Sequence, residues 1–344
     1  MESYKSKQTK IMITYGIHLV VNMQVGLRLP QTGTNLATKE NIIYLAKQAE
    51  NAGFNSLWVL ERLIWPIIPQ DKYPGTIDGK FPEDWQYIFD PLETLTFAAA
   101  NTSKIALGTS VIDMLFHNPV ILARRFATLD VLSEGRAIAG CGIGWSKDEY
   151  EVSNIPFKDR GKRADEYLQI LKKIWTDDIV EYRGGFYDIP ASKIGPKPLQ
   201  KPYIPIYLGG YSQKTFARIA NHANGWICTI RDSLDQVKSN IDKIKEECHK
   251  VNRDPKDIKI AAILYPNIIH SGYTDNNNKQ EEEDNQQQQS RQLLKGNIDQ
   301  VGNDLREINE IGVDHAILSY NRSPISNNIN SIIDVSKQLR TFVR

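Results

Sequence analysis

A chain of 344 residues is long enough to bury one large core or two smaller ones. Its 42 Lys+Arg against 41 Asp+Glu leave a net charge of +1, which gives no electrostatic case for nucleic acid or an anionic membrane. Cys141, Cys228 and Cys248 make no CxxC spacing and argue against a disulfide framework, no stretch approaches the roughly 18 apolar residues of a membrane span, and the polar residues 1–10 do not resemble a signal peptide, so a soluble cytoplasmic protein is expected.

In chain order, residues 11–17 read as a short apolar strand ending at Gly16-Ile17-His18, and residues 21–37 read as irregular. Thr38 can cap a helix whose Ile42, Ile43, Leu45, Ala46 and Ala49 share one face up to Gly53. The sequence NSLWVL at 55–60 is a second strand. Residues 61–90 then form a long connection rich in proline and aromatic rings, among them Trp65, Tyr73, Phe81 and Trp85; connections of this length tend to be lids or binding loops. A helix over 91–100 leads into residues 105–111, whose apolar, β-branched run suits a strand buried on both faces. Asn118-Pro119 opens a helix with Ile121, Leu122, Phe126, Leu129 and Leu132 at helical spacing, and Gly135 suits its left-handed end. A strand over 136–144 dissolves into Gly140-Cys141-Gly142-Ile143-Gly144.

Beyond Trp145 a polar link leads to a helix over 161–175, and VEYRGGFYDI at 180–189 reads as a hairpin. A strand over 204–208 runs at once into Gly209-Gly210-Tyr211-Ser212 and a helix. Strands over 225–229, 258–265 and 314–319 alternate with helices over 234–251, 297–311 and 325–342. Residues 274–292 contain no apolar side chain and are expected to be a disordered surface insertion. Eight strands, nearly every one followed by a helix, predict a single α/β domain over 1–344 folded as a (β/α)₈ TIM barrel, with a doubly wound sheet as the alternative.

Chemistry is then expected at the C-terminal ends of the strands. Gly209, Gly210, Tyr211 and Ser212 read either as a phosphate cradle at a helix N-terminus or as a plain tight turn. Gly142, Ile143 and Gly144 offer a strand end against which a flat ring can lie, with Trp145 walling that pocket or packing under the next loop. Thr109, Ser110 and Val111 end the adjacent strand, where two hydroxyls can bond a heterocycle or satisfy themselves locally. His117 and His18 stand beyond strand ends and can exchange protons near neutral pH, whereas His222, His249 and His315 read as structural. No metal-binding spacing and no G-x-S-x-G elbow is present, so no metal is expected.

The run LGTSV, HNPVILARRFATLDVLSEGR, GCGIGW and IPFKDRGKRADEYLQILKKIW, with the later IPIYLGGYSQKTFARIANHANGWI, resembles the bacterial-luciferase-like monooxygenase superfamily. The likeness covers most of the chain outside 274–292, and LGTSV with WVLERLIWP looks most like the group that uses coenzyme F420. The resemblance implies a (β/α)₈ barrel. It also implies an oxidoreductase that exchanges a hydride between the deazaflavin F420 and a small organic substrate. The alternatives are an FMN-dependent monooxygenase fed by a partner reductase, and a flavin-binding protein without turnover. It further implies that Thr109, Ser110 and Val111 hold the deazaflavin, with a non-prolyl cis peptide at Ser110–Val111, that Gly142, Ile143 and Gly144 line the ring, that Gly209–Ser212 take the phosphate, and that the protein is a homodimer. Glu61-Arg62 stands where many members carry Asp-His, and Trp145 where the sugar-phosphate dehydrogenases of the group place a Glu. Both departures remove the proton-transferring pair of those dehydrogenases. Glu61, Arg62 and His117 are therefore the candidates to orient substrate or move a proton.

Overall fold

The computed structural model describes residues 23–76, 78–230, 233–269, 291–321 and 323–343. The strand expected at 11–17, His18 and nearly all of the 274–292 insertion lie outside the described residues.

Eight parallel strands close into a barrel. They are β1 (Gln24–Arg28), β2 (Ser56–Val59), β3 (Ala106–Thr109) continued by the short β4 (Ile112–Asp113), β5 (Ala137–Gly142), β8 (Ile206–Gly209), β9 (Gly225–Thr229), β10 (Lys259–Leu264) and β13 (His315–Leu318). Their order is β3-β2-β1-β13-β10-β9-β8-β5, and β3 also pairs with β5, which closes the ring. The remaining strands lie outside the barrel. β6 (Val180–Arg183) and β7 (Asp188–Ser192) form the expected hairpin, and β11 (Asn267–Ile268) pairs with β12 (Lys295–Gly296).

The first barrel strand corrects the sequence reading, because β1 lies inside the stretch expected to be irregular. Only Val25 and Leu27 carry apolar side chains there, and they point outward into the helical layer. The inward position is Gly26, where an added Cβ would stand 2.1 Å from Ser56 Oγ and 2.7 Å from Trp58 Nε1. The bulk of the β2 indole therefore dictates a glycine on β1, and the strand loses its apolar signature. Trp58, Tyr207, Ile227, Ala261, Ile263 and Ile317 fill the barrel. Trp58 Nε1 donates to Ser56 Oγ, which lies 2.7 Å from His315 Nε2. Burial pushes the pKa of His315 down to about 4, so it is neutral and structural, as expected.

The helical layer follows its capping signals. Thr38 caps α1 (Lys39–Asn51), Asp90 caps α2 (Pro91–Ala99) and Asn118 caps α3 (Pro119–Leu132), while Gly135 beyond α3 has φ +82°. Where a polar link was expected there is a short helix, α4 (Lys147–Val152), capped by Ser146 Oγ accepting from Glu149 N. Helices α5 (Arg160–Thr176), α6 (Gln213–His222), α7 (Leu234–Lys250), α8 (Ile298–Glu310) and α9 (Ile329–Arg340) complete the alternation. Among the described residues no helix is long and apolar enough to cross a membrane, and no cluster of His, Cys, Asp or Glu is placed to hold a metal ion.

Candidate functional site

The stretch expected as one strand over 105–111 is divided at its end. The Ser110–Val111 peptide is cis and separates β3 from β4 at the barrel mouth. Val111 faces the two neighbouring strands at their glycines: a Cβ on Gly142 would come 2.7 Å from Val111 Cγ2, and one on Gly209 would come 3.3 Å from Val111 Cγ1. Three strand ends thus meet around one half-buried valine, with the Asp113 carboxylate also reaching the Gly142 position. Ile143 packs against the outer core, and Gly144, at φ +72°, leaves room for the Phe116 ring.

The two hydroxyls expected at this mouth part company. Ser110 borders it: Arg28 Nη2 donates to Ser110 Oγ at 3.3 Å, and Ser110 N donates to Val59 O at 2.6 Å. Thr109 is fully buried on the outward side of its strand, with its Oγ1 donating to Gly140 O at 2.6 Å, so its hydroxyl is not offered to a ligand. Arg28, at the end of β1, was missed by sequence reasoning because its strand was missed. Its Nε is buried without a hydrogen-bond partner among the described residues.

Behind the mouth lies a group of titratable side chains. Glu61 follows β2; its Oε1 lies 2.7 Å from His117 Nε2 and its Oε2 accepts from Asp113 N at 2.7 Å. Asp113 Oδ1 accepts from Gly144 N at 3.0 Å, and Tyr167 Oη donates to His117 O. Glu61, Asp113 and His117 therefore tie the ends of β2, β4 and β5 together. Burial first, and the nearby carboxylates of Glu61 and Glu149 next, push the pKa of Asp113 up to about 7 against the opposing pull of Arg62. Asp113 was not singled out from the sequence. The available signal was a lone acid in the apolar run 112–116.

Arg62 is turned away from this group. Its Nη2 pairs with Glu149 Oε2, both side chains being buried, and its guanidinium sits 5.0 Å from the Trp145 ring centroid, 5.5 Å from Trp85 and 5.6 Å from Phe81. Leu63 N donates to Glu149 Oε1, Gln70 N to Asp148 Oδ2, and Lys147 N to Asp71 Oδ2. The 61–90 connection is thus laced onto α4. Arg62 and Trp145 are part of that lacing, with Trp145 also packing 5.6 Å from the Tyr73 ring. Trp145 packs against the preceding mouth loop, an arrangement that neither alternative from the sequence described.

The fourth element is the turn after β8. Ser212 Oγ accepts from Thr215 N at 3.1 Å and so caps α6 as expected. Gly210 has φ +121°, and its carbonyl accepts from Trp226 Nε1. Tyr211 Oη accepts from Thr229 N at 2.7 Å, which pins the ring to the end of β9. The N-terminal dipole of α6 favours an anion at this turn. A cavity of about 720 Å³ opens beside Ser212 and reaches back to Ile143.

A family model described as luciferase-like monooxygenase matches residues 17–271. An uncharacterized protein of Mycobacterium tuberculosis is 39% identical over 189 residues, covering 54% of this chain and 67% of that protein. An F420-dependent glucose-6-phosphate dehydrogenase of Amycolatopsis mediterranei is 27% identical over 224 residues, covering 63% of this chain and 62% of that protein. Among solved structures, the coenzyme F420-dependent tetrahydromethanopterin reductase of Methanopyrus kandleri superposes with a TM-score of 0.70 at 19% identity, over 94% of this chain and 100% of that one. At that identity the likeness shows the fold.

Proposed function

The chain belongs to the luciferase-like monooxygenase family, and from that premise we propose an oxidoreductase that exchanges a hydride between coenzyme F420 and a small organic substrate at the barrel mouth. The observation that carries the reading is the shelf made by Val111 between the side-chain-free Gly142 and Gly209, next to the cis Ser110–Val111 peptide and the Arg28 guanidinium. A flat, largely apolar ring with polar edges fits such a shelf, and the orphaned Arg28 Nε is a donor available to it. The likeness to an F420-dependent dehydrogenase supports F420 over FMN.

On this reading Ser110, Val111, Gly142, Ile143 and Gly144 hold the ring, and Gly209, Gly210, Tyr211 and Ser212 hold the phosphate. Thr109 acts only by fixing Gly140 through its hydrogen bond. Bound F420 supplies the carbon that gives or takes the hydride. The chain's own residues supply position, dryness and the proton. Glu61 orients His117 through Nε2 and leaves Nδ1 to exchange a proton with substrate or solvent. Arg62 and Trp145, two of the positions at which the sequence departs from relatives of the group, touch each other and hold the loop over the mouth. That pairing speaks for a substrate other than a sugar phosphate handled by their acid and base.

Separate fluorescence titrations of the purified protein with F420 and with FMN test the proposal. Saturable F420 binding followed by substrate-dependent change at the deazaflavin absorbance is expected. Tight FMN binding without F420 binding, accompanied by oxygen uptake when reduced FMN and an organic substrate are added, would establish the monooxygenase reading instead.

A further inference from the structure

The carboxyl of Asp113 stands at the edge of the Val111 shelf, and strand alternation puts it there. Val111 packs against the cluster that fills the barrel, Ile112 and Met114 belong to the outer core, and Asp113 between them therefore faces inward with Val111. On β5 the inward positions are Gly140, where an added Cβ would meet Ile227 Cδ1 of the barrel filling, and Gly142, where it would stand 2.5 Å from Asp113 Oδ1. Asp113 is only 7% exposed; its Oδ1 accepts from Gly144 N, and its Oδ2 has no hydrogen-bond partner among the described residues. The hydroxyls of this corner are committed: Thr109 Oγ1 donates to Gly140 O, Ser110 Oγ to Val59 O, Tyr150 Oη to Ile143 O and Tyr167 Oη to His117 O. Arg62 is paired with Glu149, and the two oxygens of Glu61 are taken by His117 and by Asp113 N.

The titratable groups that face Asp113 are Glu61 and Arg62 beyond β2, Glu149 and Tyr150 from α4, and Cys141 from β5. Burial pushes the Cys141 thiol and the Tyr150 phenol up, so both are uncharged at neutral pH. Burial, Glu61 and Glu149 together hold the proton on Asp113 up to about pH 7. A carboxylic acid kept neutral by its surroundings is a donor of hydrogen bonds and of protons.

We propose that Asp113 is the general acid of the reaction, its Oδ2 proton going to the substrate atom next to the carbon that takes the hydride. The inference rests on the F420 reading and names the substrate class, a neutral C=O or C=N group. Hydride from the reduced cofactor forms the new C–H bond, the π pair of the double bond moves onto oxygen or nitrogen, and that atom takes the proton as the Asp113 O–H bond breaks. The substrate is reduced and the cofactor oxidised by two electrons. The proton released by the oxidised ring passes to solvent, and the Asp113 carboxylate takes one back. His117, whose side chain is 15% exposed, then serves the solvent side of this exchange. A neutral acceptor suits the corner, whereas a substrate anion would face Glu61 there.

Infrared spectra of the cofactor-free protein should show the C=O stretch of a carboxylic acid at pH 6 that is lost by pH 9 and is absent from Asp113→Asn. No such band in the parent overturns the inference, whether or not the variant folds. Single-turnover oxidation of reduced F420 on the protein is then followed by absorbance, with acetone, benzaldehyde, 2-cyclohexenone and 1-pyrroline as probes. The parent's rate should fall about tenfold per pH unit above pH 7, and D113N should be slower by about two to four orders of magnitude with that break gone. A purely structural role would lower the rate without removing the break. A break that survives in D113N, equal rates in the two proteins, or no reaction with any probe while F420 is bound each overturn the inference and leave the F420 reading intact. Failure of F420 to bind in a fluorescence titration overturns the F420 reading itself.

Discussion

Asp113→Asn tests the buried acid behind the mouth. In the folded protein the Asp113 carboxyl titrates at about 7 rather than its ordinary 3.8, because it is fully buried and faces Glu61 and Glu149. Below pH 3.8 folded and unfolded chains both hold the proton. Between 3.8 and 7 only the folded chain holds it, so stability is lost as pH rises through that window, at about 1.4 kcal/mol per pH unit, or about 4 kcal/mol in all. Asparagine keeps an oxygen for the Gly144 N–H and places an N–H₂ where the acid carries its proton, so the variant has the same shape without the titration. Urea unfolding at pH 5, 6, 7 and 8 measures the difference between the two proteins, since the other groups titrate in both. The stability of D113N relative to the parent should rise by about 3 kcal/mol from pH 5 to pH 8, most of it below pH 7. Parallel stability profiles across that range would refute the assignment of a neutral carboxylic acid to this position.

Three further outcomes are expected. His117→Gln should lower kcat by about two to four orders of magnitude, with little change in F420 affinity, if the Glu61–His117 pair moves the proton; an unchanged rate in single-turnover measurements would remove the pair from the mechanism. Gly142→Ala places a methyl 2.5 Å from Asp113 Oδ1 and 2.7 Å from Val111 Cγ2, so it should cost about 1–3 kcal/mol by urea unfolding and weaken cofactor binding in titration by displacing Val111. Arg62→Ala leaves Glu149 buried beside no cation and should cost about 3–5 kcal/mol, while Arg62→Ala with Glu149→Gln should recover part of that loss; thermal unfolding distinguishes them, and equal losses would show that the ion pair is not what holds the loop.

The barrel was legible because most of its strands carry apolar runs and most of its helices carry Ser, Thr, Asn or Asp caps, which act locally. Strand β1 was not, because its inward face is shaped by a distant side chain: Trp58 demands Gly26, and that demand leaves QVGLR without a strand's pattern. The loss of β1 also hid Arg28 and its bond to Ser110. Helix α4 had a readable signal in Ser146 and Glu149, the S-x-x-E spacing of a capping box, although Glu149 sends its carboxylate to Arg62 rather than back to the cap. The Val111 shelf was half legible. The glycines marked a place with room, but which side chain enters that room depends on strands that are neighbours only after folding. Thr109 shows the same limit in reverse, since its sequence neighbours cannot reveal that it faces Gly140 rather than the mouth.

The filled interior decides how traffic through the protein runs. Trp58, Tyr207, Ile227 and Ile317 occupy the lumen, and Ser56 and His315 seal its lower end with bonded, buried polar groups. The barrel is a one-ended vessel, so whatever reaches the Val111 shelf must leave by the doorway it entered. On the proposed function, a bulky cofactor seated first would narrow that doorway for the smaller reactant. Substrate and product would share that single approach, so ordered binding and competition by product are the expected kinetic pattern.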